Sequence, residues 1–192
     1  MDAVDTLIAR IDALLAQKPR VLIAIDGPAA SGKTTLAERL AAHYGAQVLH
    51  MDDYFLQPHQ RTSERYAEPG GNVDRERFLS EALLPLSRGE SYVRRRFDCA
   101  SMTLLDGETV QPARVVIAEG SYSLHPALAP HYDLRVLMRI SPERQSARIL
   151  ARNGEEKHTQ FMARWIPLEN RYFAATRITE RCDMQLAMEE DT

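Results

Sequence analysis

The sequence predicts a three-layer α/β fold, in which helices cover both faces of a mainly parallel sheet. Short apolar runs, each long enough for one buried strand, alternate along the chain with stretches of helical periodicity. The run at 21–26 stops at a glycine-rich segment, and the run at 114–118 ends in Glu119. Ligands collect beyond the carboxyl ends of strands in such sheets. The residues that follow these strands are therefore expected to share one site.

The length and charge of the chain favour a single domain that acts on a small molecule. The 192 residues carry a net charge of -3, which argues against a nucleic-acid-binding protein held by bulk charge. We expect neither nucleic acid nor a membrane among the partners. Cys99 and Cys182 lie far apart and match no metal or redox spacing, and the N-terminus lacks the pattern of a signal peptide. These features are typical of a cytoplasmic protein.

The glycine-rich segment matches the pattern G-x-x-x-x-G-K-[ST] of a phosphate-binding loop, or P-loop. It follows an apolar strand and opens a good helical pattern, which is the context that the motif requires. Backbone N–H groups of such a loop surround phosphates, Lys33 would reach the β- and γ-phosphates, and Thr34 would offer its hydroxyl to Mg²⁺. The motif thus predicts the P-loop NTPase fold with ATP and Mg²⁺ as cofactors. The predicted nucleotide-binding residues are Gly27, Ala29, Ala30, Ser31, Gly32, Lys33, Thr34 and Thr35.

The elements of the first half follow from their patterns in turn. Residues 1–18 predict an amphipathic helix that packs on the domain, and the helix after the P-loop should end near Gly45. Residues 46–51 predict a short strand that delivers Asp52 and Asp53 at its carboxyl end. Residues 57–72 are polar and rich in turn formers, which is typical of a functional or mobile loop. Asp74 should cap a helix over 75–87 that has to accommodate Pro85.

The second half begins with a small antiparallel insertion at 90–113. Residues 90–98 predict one exposed strand, and Asp106-Gly107 predicts a tight hairpin. Buried strands are expected at 114–119 and 134–140, and Ser141 should cap a helix that breaks at Asn153-Gly154. A further helix from about 160 and a closing strand at 184–188 complete the expected fold.

Transfer of a γ-phosphoryl group needs a cradle, a metal, a positioned acceptor and positive charge, and the sequence offers a candidate for each. Glu119 could hold Mg²⁺ through water beside Thr34, and Asp52 could take a proton from an acceptor hydroxyl or join these metal ligands. Arg148 and Arg152 lie four residues apart on one helix face and could close over the phosphates with a lid at 152–160. A solvated helix face remains the alternative for each arginine.

The main competing classes are switches and GTPases. No Asp-x-x-Gly follows a strand and no Asn-Lys-x-Asp is present, which argues against a GTPase. A nucleotide-dependent regulatory protein that binds ATP without an acceptor reaction stays open. The size fits a small-molecule kinase best.

In these motifs the chain resembles the uridine kinase and phosphoribulokinase group of P-loop kinases, over residues 20–187. Besides the P-loop, Met51-Asp-Asp-Tyr-Phe55 is similar to a segment whose aspartate acts as the base on a sugar hydroxyl. Asn72-Val-Asp74 resembles a ribose-binding segment, Phe97-Asp98 stands where the group has Tyr-Asp, and Val116-Ile-Ala-Glu-Gly120 matches its Glu-Gly strand end.

The resemblance implies an alcohol-group phosphotransferase with a uridine- or cytidine-like acceptor. The residues that it assigns to the acceptor are Asp52, Tyr54, Asp74 and Phe97, and Arg148 matches an arginine of the helix beside the lid. It also implies that the 90–113 insertion could contact a second subunit in a homo-oligomer. The chain departs from the group at three points. Met102 falls near the position of the group's base-contacting histidine, Ala147 stands where close relatives carry an arginine, and the Arg-Gly-Arg pattern of the group's lid is missing. Pantothenate-, glycerate- or nicotinamide riboside-like acceptors therefore stay open.

Overall fold

The computed structural model describes residues 3–187, and a five-stranded parallel sheet forms its centre. The strands are β1 (Val21–Asp26), β2 (Gln47–His50), β3 (Tyr92–Arg94), β4 (Phe97–Asp98), β5 (Thr103–Leu104), β6 (Glu108–Val110), β7 (Val115–Glu119), β8 (Leu134–Arg139) and β9 (Met184–Ala187). The central sheet has the order β2-β7-β1-β8-β9, and all of its neighbours pair in parallel. The carboxyl ends of β1, β2 and β7 therefore meet at one edge.

Helices connect these strands and cover the sheet. They are α1 (Ala3–Leu15), α2 (Lys33–Tyr44), α3 (Ser63–Ala67), α4 (Arg75–Arg77), α5 (Leu84–Arg88), α6 (Pro142–Gln160), α7 (Ile166–Thr176) and α8 (Ile178–Arg181). A π-helical turn, Phe78–Leu83, joins α4 to α5, so that one continuous helix accommodates Pro85 at the start of α5. Another π-helical turn, Phe161–Trp165, joins α6 to α7. None of the helices between residues 3 and 187 has the length and apolar character to cross a membrane.

Alternate residues of the central strands feed two cores, one on each face of the sheet. On one face, Val21, Ile23 and Ile25 pack against α1 and α2. On the other face, Leu22 and Ala24 pack with the helix of residues 75–88 and with α7. β1 is buried along its whole length, as its unbroken apolar run predicts for a central parallel strand. The predicted three-layer α/β fold is confirmed.

Most predicted elements appear within a few residues of their expected bounds. The N-terminal helix is present as α1, and the closing strand as β9; residues 1–2 and Met188 lie outside the described residues. The helix at Ser141 begins as expected, since the Ser141 Oγ accepts from the backbone N–H of Arg144. Gly154 breaks its helical geometry with φ 78° and ψ 172°, although helical residues continue to 160.

The insertion at 90–113 differs from its prediction. Residues 90–98 form two strands, and the tight hairpin predicted at Asp106-Gly107 is wrong: β6 pairs with β3, whereas β5 pairs with β4. The tight connection lies instead at 99–102, where the Asp98 carboxylate accepts from the backbone N–H groups of Ala100 and Ser101. This side-chain cap stabilises a turn that contains no glycine.

Candidate active site

The P-loop lies between β1 and α2, as the motif predicts. Gly27 has φ 151°, and a Cβ there would lie 2.7 Å from the carbonyl oxygen of Met138 on the neighbouring strand. Only glycine fits this position without a clash. The Lys33 ammonium donates to the carbonyl oxygens of Gly27 and Pro28, at 2.9 Å each. The lysine therefore lies along the inner side of the loop, at the edge where β1, β2 and β7 end.

A buried carboxylate, Asp26, fixes the start of the P-loop. Its oxygens accept from the backbone N–H groups of Gly27 (2.7 Å), Tyr122 (3.1 Å) and Leu124 (2.8 Å) and from the hydroxyl of Tyr172 (2.7 Å). Burial raises the pKa of Asp26 to about 6, against the opposing effect of these hydrogen bonds. Asp26 thus connects the P-loop to the segment after β7 and to α7. Its local sequence gives no signal for this role.

The side chains of Thr34, at the end of the P-loop, and Glu119, at the end of β7, are in contact. The Thr34 hydroxyl lies 3.3 and 3.4 Å from the two carboxylate oxygens of Glu119. Within residues 3–187 no three His, Cys, Asp or Glu side chains cluster as an all-protein metal site. A Mg²⁺ ion typically uses one or two protein oxygens and completes its shell with phosphates and water, so this hard-oxygen pair fits it.

His50, at the end of β2, is a neighbour of Glu119 that the sequence analysis missed. Its Nδ1 lies 2.6 Å from Oε1 of Glu119. The hydrogen bond to Glu119 raises the pKa of His50 above its ordinary value. The imidazole therefore holds one oxygen of the carboxylate in a fixed direction, while the hydroxyl of Thr34 approaches the same group.

Asp52 lines the cleft that contains the P-loop. It lies in a 3₁₀ turn, Met51–Tyr54, rather than at the end of an extended strand. Partial loss of hydration raises the pKa of its carboxyl, and the negative charge of Glu119 raises it further. Asp53 is half-buried and is not among the residues that line the cleft. The two neighbouring aspartates thus occupy different surroundings.

Three residues that the resemblance assigns to the acceptor lie outside the cleft lining. Tyr54 is buried, with its ring edge-on to Phe78 and 4.2 Å from the guanidinium of Arg77. Phe97 is also buried. The Asp74 carboxylate accepts from the backbone N–H of Arg77, as the predicted helix cap, and from Gln60. Their contacts to an acceptor stay predictions, whereas Phe55 and Asn72 of the same region do line the cleft.

Arg148 and Arg152 of α6 both face the cleft. Arg148 donates to the carbonyl oxygen of Ala30 in the P-loop at 3.2 Å, and Arg152 donates to the side chain of Asn153 at 3.0 Å. The segment 152–160, predicted as a lid, is helical except at Gly154. The two arginines therefore supply positive charge beside the P-loop from an ordered helix.

α7 contributes a second carboxylate that the sequence analysis missed. Glu169 is 5% exposed, lines the cleft, and accepts from the backbone N–H of Ala29 (2.9 Å) and from the hydroxyl of Ser121 (2.7 Å). The Gln145 side chain donates to the carbonyl oxygen of Ala29 at 3.1 Å. The whole cleft has a volume of about 780 Å³, which is enough for a nucleotide end and a small acceptor.

The sheet order, the P-loop and the site at its edge define the fold of the P-loop kinases. Two solved structures match nearly the whole chain. A possible uridine kinase from Bacillus stearothermophilus has a TM-score of 0.67 and 21% identity, over 94% of this chain and 99% of that one. A candidate fructose transport system kinase from Silicibacter sp. TM1040 has a TM-score of 0.69 and 24% identity, over 97% and 99%. The expected likeness to uridine kinase-like P-loop kinases is confirmed at the level of the fold.

Sequence comparison gives shorter matches. A cytidylate kinase from Methylocella silvestris is 48% identical over 63 residues, which are 32% of this chain and 27% of that kinase. The chain spans less than a third of the length of the curated cytidylate kinases that it matches first. No protein-family model matches the chain.

Proposed function

We propose that this protein is a cytoplasmic, Mg-ATP-dependent kinase that transfers the γ-phosphoryl group to a hydroxyl of a small, nucleoside-like acceptor. One observation carries the proposal: Lys33, the Thr34–Glu119 pair and Asp52 line one cleft at the edge where three parallel strands end. A protein that only switches on ATP needs Lys33, Thr34 and Glu119, but it needs no further carboxylate to take a proton from an acceptor hydroxyl. The likeness to a possible uridine kinase supports the acceptor class.

The proposed chemistry follows from the positions of these side chains. The oxygen of the acceptor hydroxyl bonds to the γ-phosphorus while Asp52 accepts the proton of that hydroxyl. The bond between the γ-phosphorus and the β–γ bridging oxygen breaks, which releases ADP. Lys33 and Arg148 balance the negative charge of the transferring group. Thr34 and Glu119 would hold Mg²⁺, which would supply positive charge to neutralise the phosphates. The raised pKa of Asp52 makes its carboxylate a better proton acceptor near neutral pH.

The test is ADP release from Mg-ATP, measured with pooled ribonucleosides present or withheld. We expect a rise with the pool, and we expect Lys33→Ala to abolish it, because the ammonium is the P-loop group that reaches the β- and γ-phosphates. A melting curve of Lys33→Ala checks that the fold is intact. Normal turnover in that variant would remove the P-loop from the mechanism.

Other acceptors, or the absence of an acceptor reaction, would give different outcomes in the same assay. A rise only with pantothenate-, glycerate- or nicotinamide riboside-like compounds would keep the kinase and change its acceptor. A rise only with cytidine monophosphate would replace the nucleoside acceptor by a nucleotide, in agreement with the partial matches to cytidylate kinases. Hydrolysis that responds only to a protein partner would favour a regulatory ATP-binding protein and overturn the kinase proposal.

A further inference from the structure

Arg77 is a buried arginine that the proposed chemistry does not use. It is the last residue of α4, in the continuous helix of residues 75–88, and it is 7% exposed. Burying a guanidinium is costly unless its charge and its N–H groups find partners in the protein. The partners of Arg77 therefore indicate what the side chain does.

The guanidinium of Arg77 joins its helix to two other parts of the chain. Its Nη2 donates to the backbone carbonyl oxygen of Asp53, and its Nη1 donates to that of Arg95, at 2.8 Å each. Its Cζ atom also lies 4.2 Å from the centre of the Tyr54 ring. Asp53 and Tyr54 belong to the 3₁₀ turn that carries Asp52, whereas Arg95 lies between β3 and β4 in the insertion. One side chain thus holds the turn of the candidate base and the neighbouring part of the insertion.

The charge of Arg77 is balanced by two carboxylates at longer range. Oδ2 of Asp74 lies 3.6 Å from Nε of Arg77, and Oε2 of Glu81 lies 3.7 Å from Nη1. A main-chain hydrogen bond anchors the same turn a second time, since the backbone N–H of Asp74 donates to the carbonyl oxygen of Tyr54 at 2.7 Å. This bond does not involve the side chain of Arg77. Replacing Arg77 should therefore loosen the turn without detaching it.

The position of the Asp52 carboxylate depends on the backbone of this turn. Asp52 directly precedes the carbonyl group that Arg77 holds, and its side chain lines the cleft that contains the P-loop. A general base must lie within hydrogen-bond reach of the hydroxyl that it deprotonates. A misplacement of about 1 Å can lower the rate roughly a hundredfold.

We propose that Arg77 is a positioning residue, whose guanidinium holds the turn Met51–Tyr54 and so the carboxylate of Asp52 in place for phosphoryl transfer. This inference rests on the proposed kinase function, and it gives Arg77 a role through Asp52 and none in binding ATP. Lysine would keep the positive charge but not the role, because one ammonium lacks the planar fork that reaches two carbonyl groups and covers the Tyr54 ring.

The first experiment measures kcat for the acceptor reaction and the Kd for Mg-ATP in wild type and Arg77→Lys. We expect kcat to fall on the order of ten- to a hundredfold and the Kd to change less than about twofold. Arg135→Lys is the matched control, because Arg135 donates two hydrogen bonds to Asp183 and lies near the amino end of β8, away from the cleft. The control should keep the wild-type kcat. An unchanged kcat in Arg77→Lys would overturn the proposal.

A double variant separates positioning of the base from a general loosening of the fold. If Arg77 acts through the carboxylate of Asp52, then Arg77→Lys should lower the residual kcat of Asp52→Asn by less than about twofold. Losses that multiply, with the full effect of Arg77→Lys repeated in Asp52→Asn, would overturn the proposal, because Arg77 would then act on something other than Asp52.

The second experiment needs no turnover and separates this inference from the proposed function. Amide hydrogen exchange, measured by mass spectrometry, compares residues 51–56 with the P-loop at 27–35. We expect Arg77→Lys to accelerate exchange at 51–56 about tenfold and to leave the P-loop unchanged. Unchanged exchange at 51–56, or equal acceleration in both segments, would overturn the proposal. Selective acceleration in a protein that phosphorylates none of the acceptors tested would refute the proposed function while keeping Arg77 as the anchor of the turn.

Discussion

The buried carboxyl of Asp26 should make the stability of this protein depend on pH. Two effects oppose each other at this group: complete burial disfavours the charged carboxylate, while four hydrogen-bond donors favour it. Burial is the larger effect, and it raises the pKa from 3.8 to about 6. The folded protein therefore binds the Asp26 proton more tightly than the unfolded chain does.

The sign and size of the effect follow from this difference. Between the two pKa values the unfolded chain has released a proton that the folded protein still holds, so the free energy of unfolding falls as the pH rises. Asp26 contributes its full stabilisation below the unfolded pKa and loses it as the pH rises through about 6. Each pKa unit corresponds to about 1.4 kcal/mol, so the loss between about pH 4 and about pH 7 should be roughly 2 to 3 kcal/mol.

Urea denaturation of wild type and Asp26→Asn across this pH range isolates the effect. Asparagine cannot titrate, and its amide N–H₂ would face a backbone donor, so the variant should be less stable at every pH. The other carboxyl groups titrate in both proteins and cancel in the difference. We expect the advantage of wild type to shrink by roughly 2 to 3 kcal/mol from about pH 4 to about pH 7. An advantage that grows with pH would refute the reasoning, because it would mean that the four donors outweigh burial.

Two further substitutions test the site and the loop. Asp52→Asn should lower kcat on the order of a hundredfold or more with little change in ATP affinity, because general-base catalysis acts on the acceptor. Asp53→Asn is the control. If Asp53→Asn alone lowered kcat by that amount, the assignment of the two aspartates would be reversed. Gly27→Ala should lower the free energy of unfolding by about 2 kcal/mol or more, since the new Cβ would press on Met138. Gly45→Ala has a positive φ but open space, so urea denaturation should show a cost of only about 1 kcal/mol; equal costs at both glycines would contradict the clash.

The parts of the site that the sequence predicted depend on local patterns. The P-loop, the strand before it and Glu119 after β7 each consist of neighbouring residues whose spacing carries the signal. Asp52 was expected at the same edge and lies there, although a 3₁₀ turn holds it instead of a strand end. Parallel pairing alone brings these strand ends together.

The parts that the sequence could not predict depend on contacts between distant residues. Glu169 meets Ala29 across 140 positions, and Tyr172 meets Asp26 across 146. No local pattern marks such partners. A glutamate on a helix usually lies at the surface and a tyrosine often packs in the core, so neither residue type points to a contact with the P-loop. The hairpin at Asp106-Gly107 failed for a related reason: the pairing partners of β5 and β6 are fixed by earlier strands rather than by the turn between them.

Both long-range contacts are made by residues of one helix, α7. Glu169 and Tyr172 lie three positions apart, on the same face of α7, and reach the P-loop at Ala29 and just before it at Asp26. Glu169 also lines the cleft that contains the P-loop. A shift of α7 would therefore displace a carboxylate of the cleft and the hydrogen bonds at the start of the P-loop together.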